Sequence, residues 1–261
     1  SQNFIADADT RNEIRKELGL KDKFVVGHVG RLHPQKNHDF LIDVFAELKK
    51  SKPDAELILV GTGPLEDKVK SKVVEKGLSD CVHFLGNRKD MNRIYQAMDV
   101  FVFPSLFEGL GIVAIEAQAA GVPIVCSEGL PPETDITPIY RKLLLSDGEE
   151  KWANAALKMA QNPKAHTNMQ QYVIDAGFDM NVTAKYMEGY YLRKYNIMLN
   201  ISIINLNSKS RKYQYNRKYL SNNILYIYYN IILHNQKNTQ EKSVSLLHFF
   251  LYYDIIVLVE K

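Results

Sequence analysis

Hydrophobic positions along the chain fall into two alternating rhythms. Short, nearly unbroken apolar runs at Phe24–Val29, Glu56–Val60, Val82–Leu85, Val100–Phe103 and Ile124–Cys126 read as buried strands. Between them, longer segments place apolar residues at helical spacing, as His38–Lys50 does with Phe40, Leu41, Val44, Phe45 and Leu48. Leu65–Lys76, followed by Gly77, Met91–Met98, and Leu110–Ala120, closed by Gly121 and Pro123, are the other helices predicted in this stretch. Repeated βα units imply a parallel sheet covered by helices on both faces, so the predicted fold class is α/β with a single parallel sheet. Asn12–Leu20 predicts a short opening helix in an otherwise linker-like segment 1–22. After Asp135 the pattern turns helical, with helices predicted at Glu149–Gln161, Ala165–Ala176 and Val182–Arg193, so the domain 23–195 has a helical C-terminal end.

The rhythm stops near Asn196. From there to Lys261 there is no Gly, Ala, Pro or Cys, and Asn, Ile, Tyr, Leu, Lys and Ser dominate. A folded domain of this length needs turn punctuation, which is missing, so 196–261 reads as a low-complexity tail with no function of its own. Val244–Val259 is apolar but interrupted by His248 and Asp254, and it falls short of a comfortable membrane span. Lys209–Lys218, basic with Tyr213 and Tyr215 interleaved, offers the alternative of a contact with an anionic surface or RNA.

Composition narrows the classes without choosing among them. Hydrophobic content of 46% and charged content of 24% are ordinary for a soluble globular protein. A net charge of +3 is too small to argue for nucleic acid or an anionic membrane as partner. The two cysteines, Cys81 and Cys126, lie beside apolar strand positions without metal-type spacing and read as buried, reduced core thiols of a cytosolic protein. Ser1-Gln2-Asn3-Phe4 has neither the basic start nor the apolar run of a signal peptide.

Candidate chemistry gathers where the fourth predicted strand hands over to its helix. Glu108 and Glu116 bracket seven residues in Glu108-Gly109-Leu110-Gly111-Ile112-Val113-Ala114-Ile115-Glu116. In an open parallel sheet, such strand-to-helix junctions line the crevice where ligands bind. A helix N-terminus there offers unpaired N–H groups suited to phosphate, and the glycines let the backbone at Gly109, Leu110, Gly111 and Ile112 come close to a ligand. An acidic Glu108 would repel phosphate, so it suits hydroxyls on a neighbouring part of the ligand, and Glu116 suits a diol. Phosphate beside polyols describes a nucleotide sugar. Arg31 offers a planar fork of donors and Lys36 a mobile point charge. Together they can hold a leaving diphosphate in place of a divalent metal, and no Asp-x-Asp signature stands near them, so no cofactor or metal is expected. His28, His33 and His38 span a strand end, a loop and a helix start, and read as incidental polar positions. Gly61-x-Gly63-Pro64 lacks the third glycine of a dinucleotide fingerprint and reads as a tight turn lining the cleft.

These residues carry a family resemblance. The Glu108-x7-Glu116 element resembles the donor site of the retaining glycosyltransferases with the GT-B fold, the large family that includes sucrose and glycogen synthases and many bacterial capsule and lipopolysaccharide enzymes. Val29-Gly30-Arg31-Leu32 followed by Pro34-Gln35-Lys36-Asn37 is similar to the family's Arg and Lys pair on the donor diphosphate. Leu59-Val60-Gly61-Thr62-Gly63-Pro64, Val82-His83-Phe84-Leu85-Gly86 and Glu116-Ala117-Gln118-Ala119-Ala120-Gly121-Val122-Pro123 follow in the order the family has them. The resemblance runs from about Phe24 to Asp135, and more weakly to about Tyr195. It implies a Rossmann-like domain in which Arg31, Lys36 and Glu108 act in catalysis, Glu108 on donor-sugar hydroxyls, with Gly30 and the 109–112 backbone beside the donor. It also implies that Glu116 meets the ribose and that the stretch holding Arg88 reads the base.

The same resemblance implies a second Rossmann-like domain that holds the acceptor, a sugar or a lipid-linked one. With 22 residues before the first predicted strand, that N-terminal domain is expected to be missing here, and the chain is expected to be inactive alone. The expected function is retaining hexosyl transfer from a nucleotide-diphosphate sugar, with a UDP-sugar favoured, in cell-surface polysaccharide synthesis. The expected setting is the cytoplasm, with a peripheral contact of the full enzyme at the inner face of the membrane. A non-catalytic nucleotide-sugar-binding module and a sugar-nucleotide epimerase of GT-B fold are the alternatives.

Overall fold

The computed structural model describes residues 4–179 and 182–193. Six parallel strands, β1 (Phe24–Val29), β2 (Ala55–Val60), β3 (Val82–Gly86), β4 (Val100–Phe103), β5 (Ile124–Ser127) and β6 (Tyr140–Leu143), form one sheet in the order β3-β2-β1-β4-β5-β6. Among the described residues these strands are accompanied by helices α1 (Ala8–Glu17), α2 (His38–Ser51), α3 (Glu66–Glu75), α4 (Met91–Ala97), α5 (Ile112–Ala119), α6 (Glu149–Ala160) and α7 (Gln170–Asp175). Residues 182–193 are also helical. This is the α/β, single-sheet, Rossmann-like architecture expected from the βα rhythm. The predicted tail 196–261 lies outside the described residues.

Alternation along the strands divides the core into two layers. Val26, Leu57, Leu59, Val100, Val102 and Val125 pack with Leu41, Val44, Phe45, Val69, Val73 and Trp152 of α2, α3 and α6. Val25, Ile58, Phe101, Phe103, Ile124 and Cys126 face the other way, toward Ile14, Ile94, Tyr95, Ala114 and Ala117 of α1, α4 and α5. The apolar runs in β1, β2, β4 and β5 are therefore strands buried on both faces, while β3, at the sheet edge, is only partly buried after Val82. Cys81 and Cys126 are buried and free.

Strand order fixes where loops can meet. From β1 the chain moves outward through β2 and β3, then crosses back so that β4 lies on the other side of β1. The loops leaving the C-terminal ends of β1 and β4 consequently diverge from adjacent strands, and the crevice between them is the switch point of the sheet.

Several boundaries differ from the sequence expectation, each for a local reason. The opening helix begins at Ala8 rather than Asn12, because Asp7 caps it by accepting from the N–H groups of Asp9 and Thr10. It ends by Glu17, where Gly19 turns left-handed (φ 72°) and the Leu20 N–H reaches back to the Arg15 carbonyl. The fifth helix begins at Ile112 rather than Leu110, since Gly111 sits in the left-handed region at φ 71°. The helix expected from Ala165 begins at Gln170, after a turn in which the His166 N–H donates to the Gly121 carbonyl and the Asn168 side chain accepts from Gln170 N–H. Strand β6 was not predicted. Tyr140-Arg141-Lys142-Leu143 is an edge strand whose polar, half-exposed side chains break the apolar signal.

Candidate functional site

The β1 loop (Gly30–Asn37) and the β4 loop (Pro104–Gly111) are stitched together at the switch point. The Leu106 N–H donates to the Gln35 carbonyl at 2.8 Å, and Gln35 Nε2 donates to the Phe107 carbonyl at 2.8 Å. Lys36 Nζ closes on Glu108 Oε1 at 2.5 Å and lies 4.9 Å from the centroid of the Phe103 ring. The two side chains retain only 15% and 7% of their accessible surface, so this is a shielded pair rather than a surface contact. The Glu108 N–H donates to the Gly129 carbonyl at 2.9 Å, which pins the same loop to the turn after β5. Gly30 lets the lysine lie flat, since a Cβ there would be 3.1 Å from Lys36 Cδ and Cε.

Arg31 is exposed and has no hydrogen-bond or ion-pair partner among the described residues. Likewise, the N–H groups of Gly109, Leu110, Gly111 and Ile112 donate to no acceptor among the described residues. A free guanidinium, unpaired N–H groups and a lysine already neutralised by Glu108 leave the crevice short of negative charge. Such a place suits an anion with several oxygens.

The two glutamates that the sequence singled out occupy different environments. Glu108 faces a cation. Glu116, on α5, is half-buried and accepts a hydrogen bond at 3.0 Å from the hydroxyl of Tyr95, a neutral donor. Burial pushes its carboxyl up from the ordinary value, and the Tyr95 hydrogen bond opposes that shift. Arg88, beyond β3, is drawn into an ion-pair cluster, donating to Asp90 at 2.9 and 2.7 Å and reaching Glu17 at 3.5 Å. Its guanidinium is thus engaged, unlike that of Arg31.

The three histidines separate. His28 is fully buried, its Nδ1 2.9 Å from the Val102 carbonyl, and its ring meets that of His38 edge-on at a centroid distance of 4.8 Å. Burial holds both imidazoles neutral, His38 down to about 4, with the charge of Lys36 acting in the same direction. His33 is exposed. The Gly61–Pro64 turn is joined to the β1 loop, the Leu32 N–H donating to the Thr62 carbonyl at 3.1 Å and the Leu65 N–H to the Leu32 carbonyl at 3.1 Å.

Sequence reasoning missed Gln35, Gly129 and Tyr95. Gly129 acts through its backbone carbonyl, which leaves no residue-type signature, and Gln35 acts through both its carbonyl and its side-chain amide. Tyr95 lies on a helix that looked like ordinary core. Among the described residues, no helix is long and apolar enough to cross a membrane.

Comparison with known proteins bears on the family and the fold. The glycosyl transferases group 1 family matches residues 10–175. The chain is 32% identical over 196 residues to EpsF of Bacillus subtilis (strain 168), a glycosyltransferase by name, covering 74% of this chain and 50% of that protein. It is 37% identical over 124 residues to the lipopolysaccharide core biosynthesis mannosyltransferase LpsB of Rhizobium meliloti (strain 1021), covering 45% and 35%. The chain thus spans half or less of the length of these relatives. Among solved structures, sucrose-phosphate synthase from Thermosynechococcus elongatus superposes with a TM-score of 0.64 at 27% identity, covering 75% of this chain and 51% of that one. Anabaena HepE, solved with UDP and glucose, superposes with a TM-score of 0.62 at 24% identity, covering 73% and 54%, and shows the shared fold.

Proposed function

This chain belongs to the glycosyl transferases group 1 family, and from that premise we propose that it is the donor-binding half of a retaining, metal-independent hexosyltransferase that takes a nucleotide-diphosphate sugar. The observation that carries the reading is the stitched switch-point crevice. Lys36 is paired with Glu108 across the two loops, and the same loops carry the exposed Arg31 and the unpaired N–H groups of 109–112, which supports a diphosphate there. In the proposed reaction, Arg31 and Lys36 stabilise the departing diphosphate, a task for fixed positive charge placed where negative charge develops. Glu108 orients the donor sugar through its hydroxyls while holding Lys36 in place. Glu116 accepts from the ribose diol, and the backbone near Arg88 reads the base.

A UDP-sugar is the favoured donor, in keeping with the UDP and glucose named for HepE. LpsB, by its name, serves lipopolysaccharide synthesis, which supports cell-surface polysaccharide as the product class. The acceptor, a sugar or lipid-linked sugar, is proposed to be held by a second domain of the complete enzyme, working in the cytoplasm against the inner face of the membrane. These 261 residues alone are then expected to bind donor without transferring it, because acceptor orientation and exclusion of water supply much of the rate.

Titration calorimetry with UDP, GDP and uridine tests the reading. Either diphosphate should bind, and Arg31→Ala should weaken it by roughly 1.5–3 kcal/mol, the scale of a hydrogen bond to a charged group, with uridine nearly unaffected. Absence of heat from both diphosphates at millimolar concentration, on folded protein, would remove the proposal.

A further inference from the structure

Glu116 is a half-buried carboxylate with no cation beside it among the described residues, whereas Glu108 has Lys36. Leaving a carboxylate in that state is costly, and an apolar residue or a glutamine would fill the same helical position more cheaply. One group steadies it. The Tyr95 hydroxyl lies 3.0 Å from Glu116 Oε2, and its next acceptor, the Val113 carbonyl, is more distant at 3.3 Å. A phenol has one proton to give, and the charged, nearer oxygen is the stronger acceptor.

Tyr95 itself cannot move. It is fully buried on α4, edge-on to Phe101 at 6.1 Å and to Phe4 at 5.8 Å between ring centroids. Its hydroxyl is therefore a fixed point in the core from which the longer, more flexible glutamate is held. A carboxylate has about four acceptor positions, and Tyr95 fills one. Its remaining acceptor positions have no partner among the described residues, so the free edge of the carboxylate is open to further donors. Two hydroxyl donors on neighbouring carbons match that edge.

We propose that Tyr95 is a positioning residue that sets the orientation of Glu116 for a vicinal diol, and so gives this site its preference for a ribose over a deoxygenated sugar. The inference rests on the reading of Glu116 as the ribose contact, and it adds a residue on a different helix that never touches the ligand. Because Tyr95 donates without carrying charge, it orients the carboxylate and leaves it hungry for donors.

The test measures affinity of the 261-residue chain for UDP and for 2′,3′-dideoxyuridine diphosphate, or the guanosine pair if GDP is the better ligand. Wild type should favour the ribose form by about tenfold, the scale of a hydrogen bond to a charged group. Glu116→Gln should reduce that preference to about twofold. Tyr95→Phe, which keeps the ring and its packing, should reduce it to about threefold by weakening the ribose form alone. The dideoxy affinity should stay unchanged and so report an intact fold. The double variant should lose no more than Glu116→Gln, as two members of one contact are not additive. Equal weakening of both ligands in Tyr95→Phe would show a merely structural role and overturn the proposal. Full discrimination in Tyr95→Phe, lost in Glu116→Gln, would overturn it while leaving the ribose contact standing. Discrimination that survives Glu116→Gln would overturn both.

Discussion

If Lys36 and Glu108 form one shielded unit, removing them singly and together must give unequal costs. Lys36→Met keeps most of the stem over Gly30 but strands a carboxylate that is 7% exposed. Breaking a fully buried pair costs about 3–5 kcal/mol, and residual solvent access here lowers the expected cost below that range, to about 2–3 kcal/mol. Glu108→Gln leaves a lysine that is 15% exposed, able to swing outward and still near the Phe103 ring, so about 1–1.5 kcal/mol is expected. The double variant replaces both charges with neutral side chains of similar size, and should fall well short of the sum, giving a coupling of about 1.5–2 kcal/mol. Urea denaturation followed by tryptophan fluorescence can measure all four corners. The chain has a single tryptophan, Trp152, which is fully buried and donates from Nε1 to the Leu144 carbonyl at 2.9 Å. Raising salt to about 1 M should leave most of the coupling, because screening acts mainly on exposed charges. A coupling below about 0.5 kcal/mol would refute the idea that the two loops are locked by this pair.

Three further outcomes follow from the same geometry. At Gly109 an added Cβ meets nothing within 4 Å, so Gly109→Ala should change stability by less than about 0.5 kcal/mol while lowering UDP affinity about tenfold, and unchanged affinity would remove that backbone from the site. Arg88→Ala loses an ion-pair cluster that is partly open to solvent, so it should shift stability by about 0–1 kcal/mol and leave nucleotide affinity within about twofold; a large loss would mean the side chain leaves Asp90 for the ligand. His38 is neutral in the folded state, held down to about 4 first by burial and then by Lys36, against 6.5 ordinarily. Its contribution to stability is therefore full above pH 6.5 and is lost as pH falls toward 4, adding up to about 1.4 kcal/mol per pH unit to the acid limb. His38→Gln should flatten that limb, and an unchanged slope in pH-dependent urea melts would rule the histidine out.

The legible part of the fold was its central sheet, because strands buried on both faces must be written as unbroken apolar runs. Val100–Phe103 is such a run, and all four residues are fully buried. Illegible parts depended on single hydrogen bonds or on solvent. Tyr140–Leu143 pairs with β5 through its backbone, and with Arg141 and Lys142 between Tyr140 and the buried Leu143 no apolar run or period appears. The start of α1 turned on the Asp7 cap and its end on Gly19, both of which were readable in principle and outweighed by the apolar spacing of the Asn12–Leu20 window.

The site was legible in its residue types and obscure in its pairings. Glycines, a basic pair and two spaced glutamates, Glu108 in the loop after β4 and Glu116 on α5, can be found in a sequence because they follow apolar runs that end at the ligand-binding edge of a parallel sheet. What each glutamate does is set by neighbours distant in sequence. Lys36, 72 residues before Glu108, neutralises it and turns it into part of a latch between loops. Tyr95, 21 residues before Glu116, donates one proton and leaves the charge unspent. The charged partner suits a carboxylate that must coexist with a diphosphate, because its negative charge is already answered before the anion arrives. The neutral partner suits one proposed to hold a diol, since Tyr95 takes one acceptor position and adds no charge. A single spacing motif thus holds two carboxylates in different electrostatic settings, and the difference between them is a matter of which side chain the fold brings to each.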